Sequence, residues 1–386
     1  MASVIVSGAI ANKHQQGGEA WVRLSWALGL RRLGFQVFFI EQIASDVCVD
    51  KAGVKATFED SENLHYFKTT IEQFGLAGSA ALVYKNGEEV WGTTQSELVD
   101  RAASADLLVN ISGHLSLEWL MSRLRRKVYV DIDPGFTQFW HTDPNTQFRL
   151  KGHDFYFTIA ENIGAAECSI PQGDLQWRKT RQPVVLDDWP VSCSSEHPFT
   201  TIANWRGPFG TINAGNRAFG LKVHEFRKFV DLPRQSSQKF QIALNIHPSD
   251  NRDREMLIEH GWQIKDPLSM CNGPHAFRQY VQNSAAEFSV AQGIYVDTNS
   301  GWFSDRTVRY LASGKPALVQ DTGFSKNLPV GEGLIAFRTL EEAVAGAESI
   351  ARNYEKHARA ARALAEEYFD SDKVLKELLN EVGVAP

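Results

Sequence analysis

Hydrophobic and polar positions along this chain follow a repeating rhythm of short buried runs and longer amphipathic stretches. Residues 3–10 are almost unbroken apolar sequence. A polar loop ending in Gly17-Gly18 follows, then apolar positions at Trp21, Leu24, Leu28 and Leu33, a stop at Gly34, and a second apolar run at 35–40. A buried strand, a glycine turn and an amphipathic helix leading to another buried strand predict the opening β-α-β unit of a parallel, doubly wound sheet. Residues 106–111 (DLLVNI), 127–132 (KVYVDI) and 154–159 (DFYFTI) read as further strands, each running into a polar loop. Open α/β sheets bind their ligands in loops at strand carboxyl ends, so these loops are the first places to look for a site.

The rhythm breaks between 170 and 199, where Pro171, Pro183, Pro190 and Pro198 interrupt any helical period. This stretch reads as an interdomain connection with hinge character. Alternation then resumes, with strands expected at 200–205, 240–246, 293–297 and 316–320, and helices at 224–230, 252–259 and 305–312. From Leu340 the pattern is helical almost to the end, with a last piece at 372–382. The expected organisation is a Rossmann-like domain at 1–185, a second at 186–370, and a terminal helix at 371–386 packing back on the first domain. A length of 386 residues suits two such cores.

Composition narrows the partners. Lys+Arg number 40 against Asp+Glu 46, a formal charge of −6, so no basic surface is expected for gripping nucleic acid. Cys48, Cys168, Cys193 and Cys271 are far apart, which argues against a zinc knuckle, a redox pair or a disulfide scaffold and favours a reducing, cytoplasmic setting. The amino terminus lacks the pattern of a signal peptide, and no apolar run is long enough to span a membrane.

The most pointed segment is 299–324, NSGWFSDRTVRYLASGKPALVQDTGF. Ser304 suits an N-cap, Asp305 the first turn, Gly314 the helix stop and Pro316 the entry to a strand. The plain reading is a well-capped helix. The functional reading is an anion site, because free N–H groups at the helix start and Arg306 one turn inside would both favour a diphosphate. A glycine pair at 17–18, at the end of the first strand, reads either as a turn or as a place where backbone approaches a sugar phosphate without a Cβ between them.

The stretch GWFSDRTVRYLASGKPALVQD is similar to the donor-site helix and strand of GT-B glycosyltransferases, whose signature closes on small-x-G-x-P, a strand and an acidic residue. Gly301-Trp302 and Ser304 resemble the glycine-tryptophan-serine stretch of the UDP-sugar enzymes, with about two extra residues before Gly314. Arg306 falls where the CgeB-like branch has arginine, whereas the position of the ribose-holding glutamate is taken by Arg309. The loop His14-Gln15-Gln16-Gly17-Gly18-Glu19 is similar to the glycine-glycine loop after the first strand of many members. The resemblance implies GT-B architecture, two Rossmann-like domains facing each other across a cleft, with Gly17, Gly18, Arg206, Ser300, Gly301, Trp302, Ser304, Asp305, Arg306, Asp321 and Thr322 on the donor. Trp302 or Trp205 would stack a nucleobase.

The implied reaction moves a hexose from a nucleotide diphosphate sugar, UDP or dTDP favoured, to a hydroxyl of a small molecule, glycan or other acceptor. No cofactor and no metal are expected, Asp131-Ile132-Asp133 being taken as a chance D-x-D match. The glutamate pair common in retaining members is absent, Gly301 and Arg309 standing in its place, and inversion is therefore expected. Inversion needs a base, for which His14, Asp133 and His114 are the candidates, each in a loop after a first-domain strand. Glu161-Asn162 is placed either on the acceptor cleft or at a helix cap, and the acceptor is expected to be read by loops at 45–95 and 136–149. A sugar-nucleotide epimerase of the same fold and a non-catalytic sugar-nucleotide binder remain open. A dinucleotide oxidoreductase is disfavoured, since no G-x-G-x-x-G follows the first strand.

Overall fold

A computed structural model describes residues 2–142, 150–192, 194–207, 209–214 and 217–386. Cys193 and the part of the expected acceptor loop at 143–149 lie outside the described residues. Among the described residues, eight strands form one sheet: β1 (Ser3–Ser7), β2 (Gln36–Ile43), β3 (Ala80–Tyr84), β4 (Glu89–Trp91), β5 (Leu107–Ile111), β6 (Lys127–Asp131), β7 (Phe155–Thr158) and β8 (Trp177–Lys179). Their spatial order is β4-β3-β2-β1-β5-β6-β7-β8, parallel except for the antiparallel β3–β4 edge. The order reverses direction between β1 and β5, which leaves a crevice above their carboxyl ends.

The carboxy-terminal half carries β9 (Phe199–Asn204), the hairpin β10 (Ile212–Ala214) and β11 (Arg217–Phe219), then β12 (Phe240–Asn245), β13 (Gln263–Lys265), β14 (Ala286–Ser289), β15 (Ala317–Gln320) and β16 (Leu334–Phe337). Its main sheet is parallel, ordered β13-β12-β9-β14-β15-β16, with the switch point between β9 and β14. The expected strand at 293–297 is instead the short helix Gly293–Asp297, and the strand is β14, just before it. Three β-branched or aromatic residues in GIYVD outweighed AEFS in the pattern, because β14 buries Glu287 at a position that hydropathy reads as polar. The region 45–95, expected to be loop, also holds the helix Glu62–Gln73 and the strands β3 and β4.

Helices cover both sheets. The helix Gly17–Arg32 carries Glu19 in its first turn and Arg31 and Arg32 in its last, each sign opposite to the helix dipole at that end. It buries Trp21, Trp26 and Leu30, and its Gly29 permits close approach by the terminal helix Ser371–Val382, because a Cβ there would fall 2.6 Å from Leu375 Cδ1. The chain crosses between the halves through residues 180–198 and again near Asp370, and the two crossings run side by side. Val184 N–H donates to Phe369 O at 2.8 Å and Ser371 N–H to Val184 O at 2.9 Å. Trp189, on the first crossing, is fully buried and its ring packs 4.9 Å from that of Trp21. No helix of the described residues is long and apolar enough to cross a membrane.

Candidate functional site

The carboxyl ends of both sheets face a cleft of ≈ 950 Å³. From the first half it is lined by the loop after β1, the start of the helix Gly17–Arg32, and Asp133 after β6. From the second it is lined by the ends of β9 and β12, the segment after β13, Lys222, Tyr295, and the start of the helix Asp305–Ala312.

That last helix begins as the sequence predicts. Ser304 Oγ accepts from Arg306 N–H at 3.2 Å, and Gly314, at φ +69°, ends the helix before Pro316 enters β15. Ser304, Asp305 and Arg306 line the cleft. The Arg306 guanidinium, however, is heavily engaged within the protein: Nε donates to Glu287 Oε1 at 2.6 Å, one terminal nitrogen to Ile202 O at 2.8 Å and the other to Ser289 Oγ at 2.8 Å. Its charge balances the wholly buried Glu287, and removing one member of such a pair strands the other, at a cost of about 3–5 kcal/mol.

A second cation beside it was not legible in the sequence. Lys222, the first residue of the helix Lys222–Phe226, lines the cleft and donates from Nζ to Val290 O at 2.6 Å. Burial pushes its ammonium down to about 7, with the positive charge of Arg306 adding to the fall and Glu287 opposing it. An ammonium held near neutrality with its counter-charge already committed to Arg306 is suited to an anionic ligand.

Asp133 faces these cations from the first half. Its loop is fixed by Asp131, which is buried and accepts from Asp133 N–H at 3.1 Å, Thr137 Oγ1 at 2.7 Å, Gln138 Nε2 at 2.8 Å and Thr158 Oγ1 at 2.7 Å. The two letters of the D-x-D match therefore do different work: Asp131 is spent on the fold, while Asp133 reaches the cleft. Burial, reinforced by the charges of Glu19 and Asp131, raises the Asp133 carboxyl to about 7, and the Tyr295 hydroxyl stands 3.4 Å from its Oδ1. Glu19 goes the other way. Burial alone would raise it, but Arg23, Lys13 and Arg309 together hold it below the usual carboxylate range.

The loop that carries His14 is clamped from beneath. Glu41, buried in β2, accepts from the N–H groups of Ile10, Ala11 and Asn12 at 2.7, 2.8 and 2.8 Å, and from Asn12 Nδ2 at 3.0 Å. Burial pushes its carboxyl up to about 7 against those four donors. His14 lines the cleft and Asn63 contacts its ring at Nδ1, 3.1 Å away. Burial lowers the imidazole pKa, with Glu62 opposing, so the site disfavours the charged ring.

The remaining predicted residues divide between cleft and scaffold. Gly17 and Gly18 line the cleft, but their missing side chains face the other half: a Cβ on Gly17 would lie 2.1 Å from Gly273 O, and one on Gly18 2.8 Å from the Phe277 ring. The Trp21 indole N–H closes the same contact on Pro274 O at 2.8 Å. Trp302 lines the cleft with one face stacked on Tyr295, ring centroids 4.3 Å apart. Trp205 is buried and donates to Asp253 at 2.8 Å, which takes it away from any base. Arg206 makes a two-pronged pair with Asp250, and it and His114 are outside the cleft lining.

Ser300, Gly301, Asp321 and Thr322 are also outside the lining. Asp321 is buried against Arg338 and Ser325, and Thr322 Oγ1 donates to Trp302 O at 2.6 Å, so these residues shape the loop that presents Trp302. Arg309 is buried, pairs with Asp305 at 2.8 Å and faces Ser25 of the first half. Glu161 pairs with Arg181. Asn162, neither cleft residue nor cap, fastens the halves together. Its N–H donates to Ser300 O at 3.1 Å, its Nδ2 to Asn299 O and Gly323 O at 3.0 and 3.1 Å, and its Oδ1 accepts from Asn327 at 2.8 Å. Gly301 and Gly323, both at positive φ, make room for it, since a Cβ on either would lie within 3 Å of the Asn162 side chain.

No protein-family model matches this sequence, and no curated protein matches it. Solved structures do match the fold. An alpha-glucosyltransferase in complex with UDP superposes with a TM-score of 0.61 at 10% identity, covering 99% of this chain and 100% of that one. Anabaena HepE in complex with UDP-glucose gives 0.59 at 11% identity over 99% and 100%. Sucrose-phosphate synthase from Thermosynechococcus elongatus gives 0.52 at 11% identity over 99% of each chain. The alpha-glucosyltransferase has also been solved with UDP and a 13-mer DNA containing a HMU base. The chain thus has the GT-B fold over its whole length.

Proposed function

We propose that this protein is a glycosyltransferase that moves a sugar from a nucleotide diphosphate sugar, UDP-linked in the first instance, to an acceptor hydroxyl. The observation that carries this reading is the pairing, across one cleft, of an anion-favouring wall with a carboxylate poised near neutrality. The wall consists of the capped helix start at Ser304–Arg306 and the Lys222 ammonium. Helix N–H groups and a partly desolvated cation stabilise the negative charge that develops on a leaving diphosphate. The UDP or UDP-glucose named in the structures of the same fold supports the choice of donor.

In the proposed course Asp133 accepts the proton of the attacking hydroxyl as the sugar's bond to the diphosphate breaks, with inversion at the anomeric carbon. A carboxyl near 7 is matched to that task, because it is ionised in part at neutral pH yet basic enough to take a proton. The charge of the leaving group is met by Lys222 and the helix start, so this course routes no step through a metal. The net charge of −6 favours small or neutral acceptors over nucleic acid.

Calorimetric titration with UDP, dTDP, GDP and ADP tests the donor, followed by hydrolysis and transfer assays with the sugar form of whichever binds. A clear preference for one pyrimidine diphosphate is expected. No binding of any diphosphate would sink the reading, and an anomer retained in the product would take the base role from Asp133.

A further inference from the structure

His14 has the position of a general base but the hydrogen bonding of a donor. The side-chain orientation of Asn63 is fixed by two main-chain partners of single polarity. Val49 N–H, which only donates, points to Asn63 Oδ1 at 3.0 Å. Ala11 O, which only accepts, lies 2.9 Å from Asn63 Nδ2. The end of the amide facing His14 is therefore the NH₂ group, and its second hydrogen is directed at His14 Nδ1, 3.1 Å away.

An N–H on His14 Nδ1 would set two donors head to head at that distance. Both the Nδ1–H tautomer and the imidazolium are disfavoured for this reason, and burial of the ring independently opposes the charged form. What remains is the neutral ring with its proton on Nε2. Among the described residues Nε2 has no hydrogen-bond partner, and His14 lines the cleft beside the glycine pair and opposite the helix start. The loop is also tied down, since Glu41 holds the N–H groups of Ile10, Ala11 and Asn12.

We infer that His14 is a hydrogen-bond donor to an oxygen of the bound nucleotide sugar, held in that role by Asn63, and is not the base that activates the acceptor. The inference rests on the sugar-nucleotide reading for its ligand and leaves the proton-accepting role to Asp133. The oxygen belongs either to the diphosphate or to the sugar ring, and both present the same acceptor chemistry.

The first test needs no substrate. The 386-residue chain, labelled with ¹⁵N in its 11 histidines, gives ring-nitrogen signals, and His14 is assigned as the signal missing in His14→Gln or, should that chain fold poorly, in His14→Phe. At neutral pH the expected pattern is a protonated Nε2 and a bare Nδ1. A protonated Nδ1 would overturn the inference whatever the substrate proves to be.

The second test uses turnover and binding. His14→Ala should lose about ten- to a hundred-fold in kcat/KM, the scale of one hydrogen bond to a polar or charged oxygen. His14→Gln, which keeps an N–H near the same place and cannot act as a base, should recover most of that loss. Equal losses in the two variants would restore His14 as the base and refute the proposal. Titration of His14→Ala with UDP and with UDP-glucose assigns the oxygen: weaker UDP binding places it on the diphosphate, and a loss confined to UDP-glucose places it on the sugar. Failure of the unmodified protein to bind any nucleotide would refute the sugar-nucleotide reading alone, since the tautomer stands apart from it.

Discussion

If a diphosphate binds where proposed, Lys222 should make that binding a proton-linked event. Its ammonium sits near 7 in the free protein, so at pH 8 about nine-tenths of the molecules hold it neutral, and at pH 6 about one-tenth do. A diphosphate brought beside it raises its affinity for the proton, just as any close negative charge favours a cation. UDP binding at pH 8 should then take up about 0.9 proton, falling to about 0.1 at pH 6, where the ammonium is already charged. Calorimetry in two buffers of different ionisation enthalpy reads this number directly, and pH 8 keeps the second ionisation of the nucleotide itself out of the way. Lys222→Arg, charged at every accessible pH, should bind UDP without the lysine's share of the uptake at pH 8. Lys222→Met should weaken binding about ten- to a hundred-fold at pH 6, the value of a charge-assisted hydrogen bond of roughly 1.5–3 kcal/mol, and should lose the lysine's share of the proton uptake at pH 8, leaving only what Asp133 contributes. Unaltered affinity in Lys222→Met, or heats independent of buffer at pH 8, would show that the ammonium does not meet the phosphates.

Asp133→Asn should lower turnover about 10²–10⁴-fold with donor affinity kept, and should remove the rise in kcat/KM expected of the unmodified protein as pH passes 7. The same substitution carries a stability signature with a definite sign. A carboxyl raised from 3.8 to about 7 favours folding below 3.8 and loses that contribution as pH climbs through 7, so Asp133→Asn should be the more stable protein at pH 8 and indistinguishable at pH 4. Asn162→Ala removes three side-chain hydrogen bonds that bind the halves together, and urea denaturation should report a loss of about 2–4 kcal/mol. An unchanged midpoint would mean that this contact is not formed in solution.

Local signals carried much of the architecture, and they failed where long-range pairing overrode them. The βα rhythm, the Ser304 cap and the stops at Gly34 and Gly314 are short-range features, and each appears where the pattern places it. β14 was missed because its central Glu287 is tolerable only against Arg306, a partner 19 residues away that no window of hydropathy contains. The same pairing explains the site. Arg306 looked like a free phosphate ligand because its attachment to Glu287, Ile202 and Ser289 is tertiary, and Lys222 carries no local signal because the groups that set its charge, Val290 O, Arg306 and Glu287, are distant in sequence. The glycines make the point from the opposite side. Gly17 and Gly18 read as an opening for a ligand, yet the space they leave is filled by Gly273 and Phe277 of the facing half, just as Asn162 fills the space beside Gly301 and Gly323. In a protein whose main cleft lies between two halves, a glycine permits close approach of backbone to whatever is nearest. Which of ligand and partner half that is depends on where the halves come to rest, and the chain encodes that in contacts such as Trp21 to Pro274 and Asn162 to Gly323, more than a hundred residues apart in sequence.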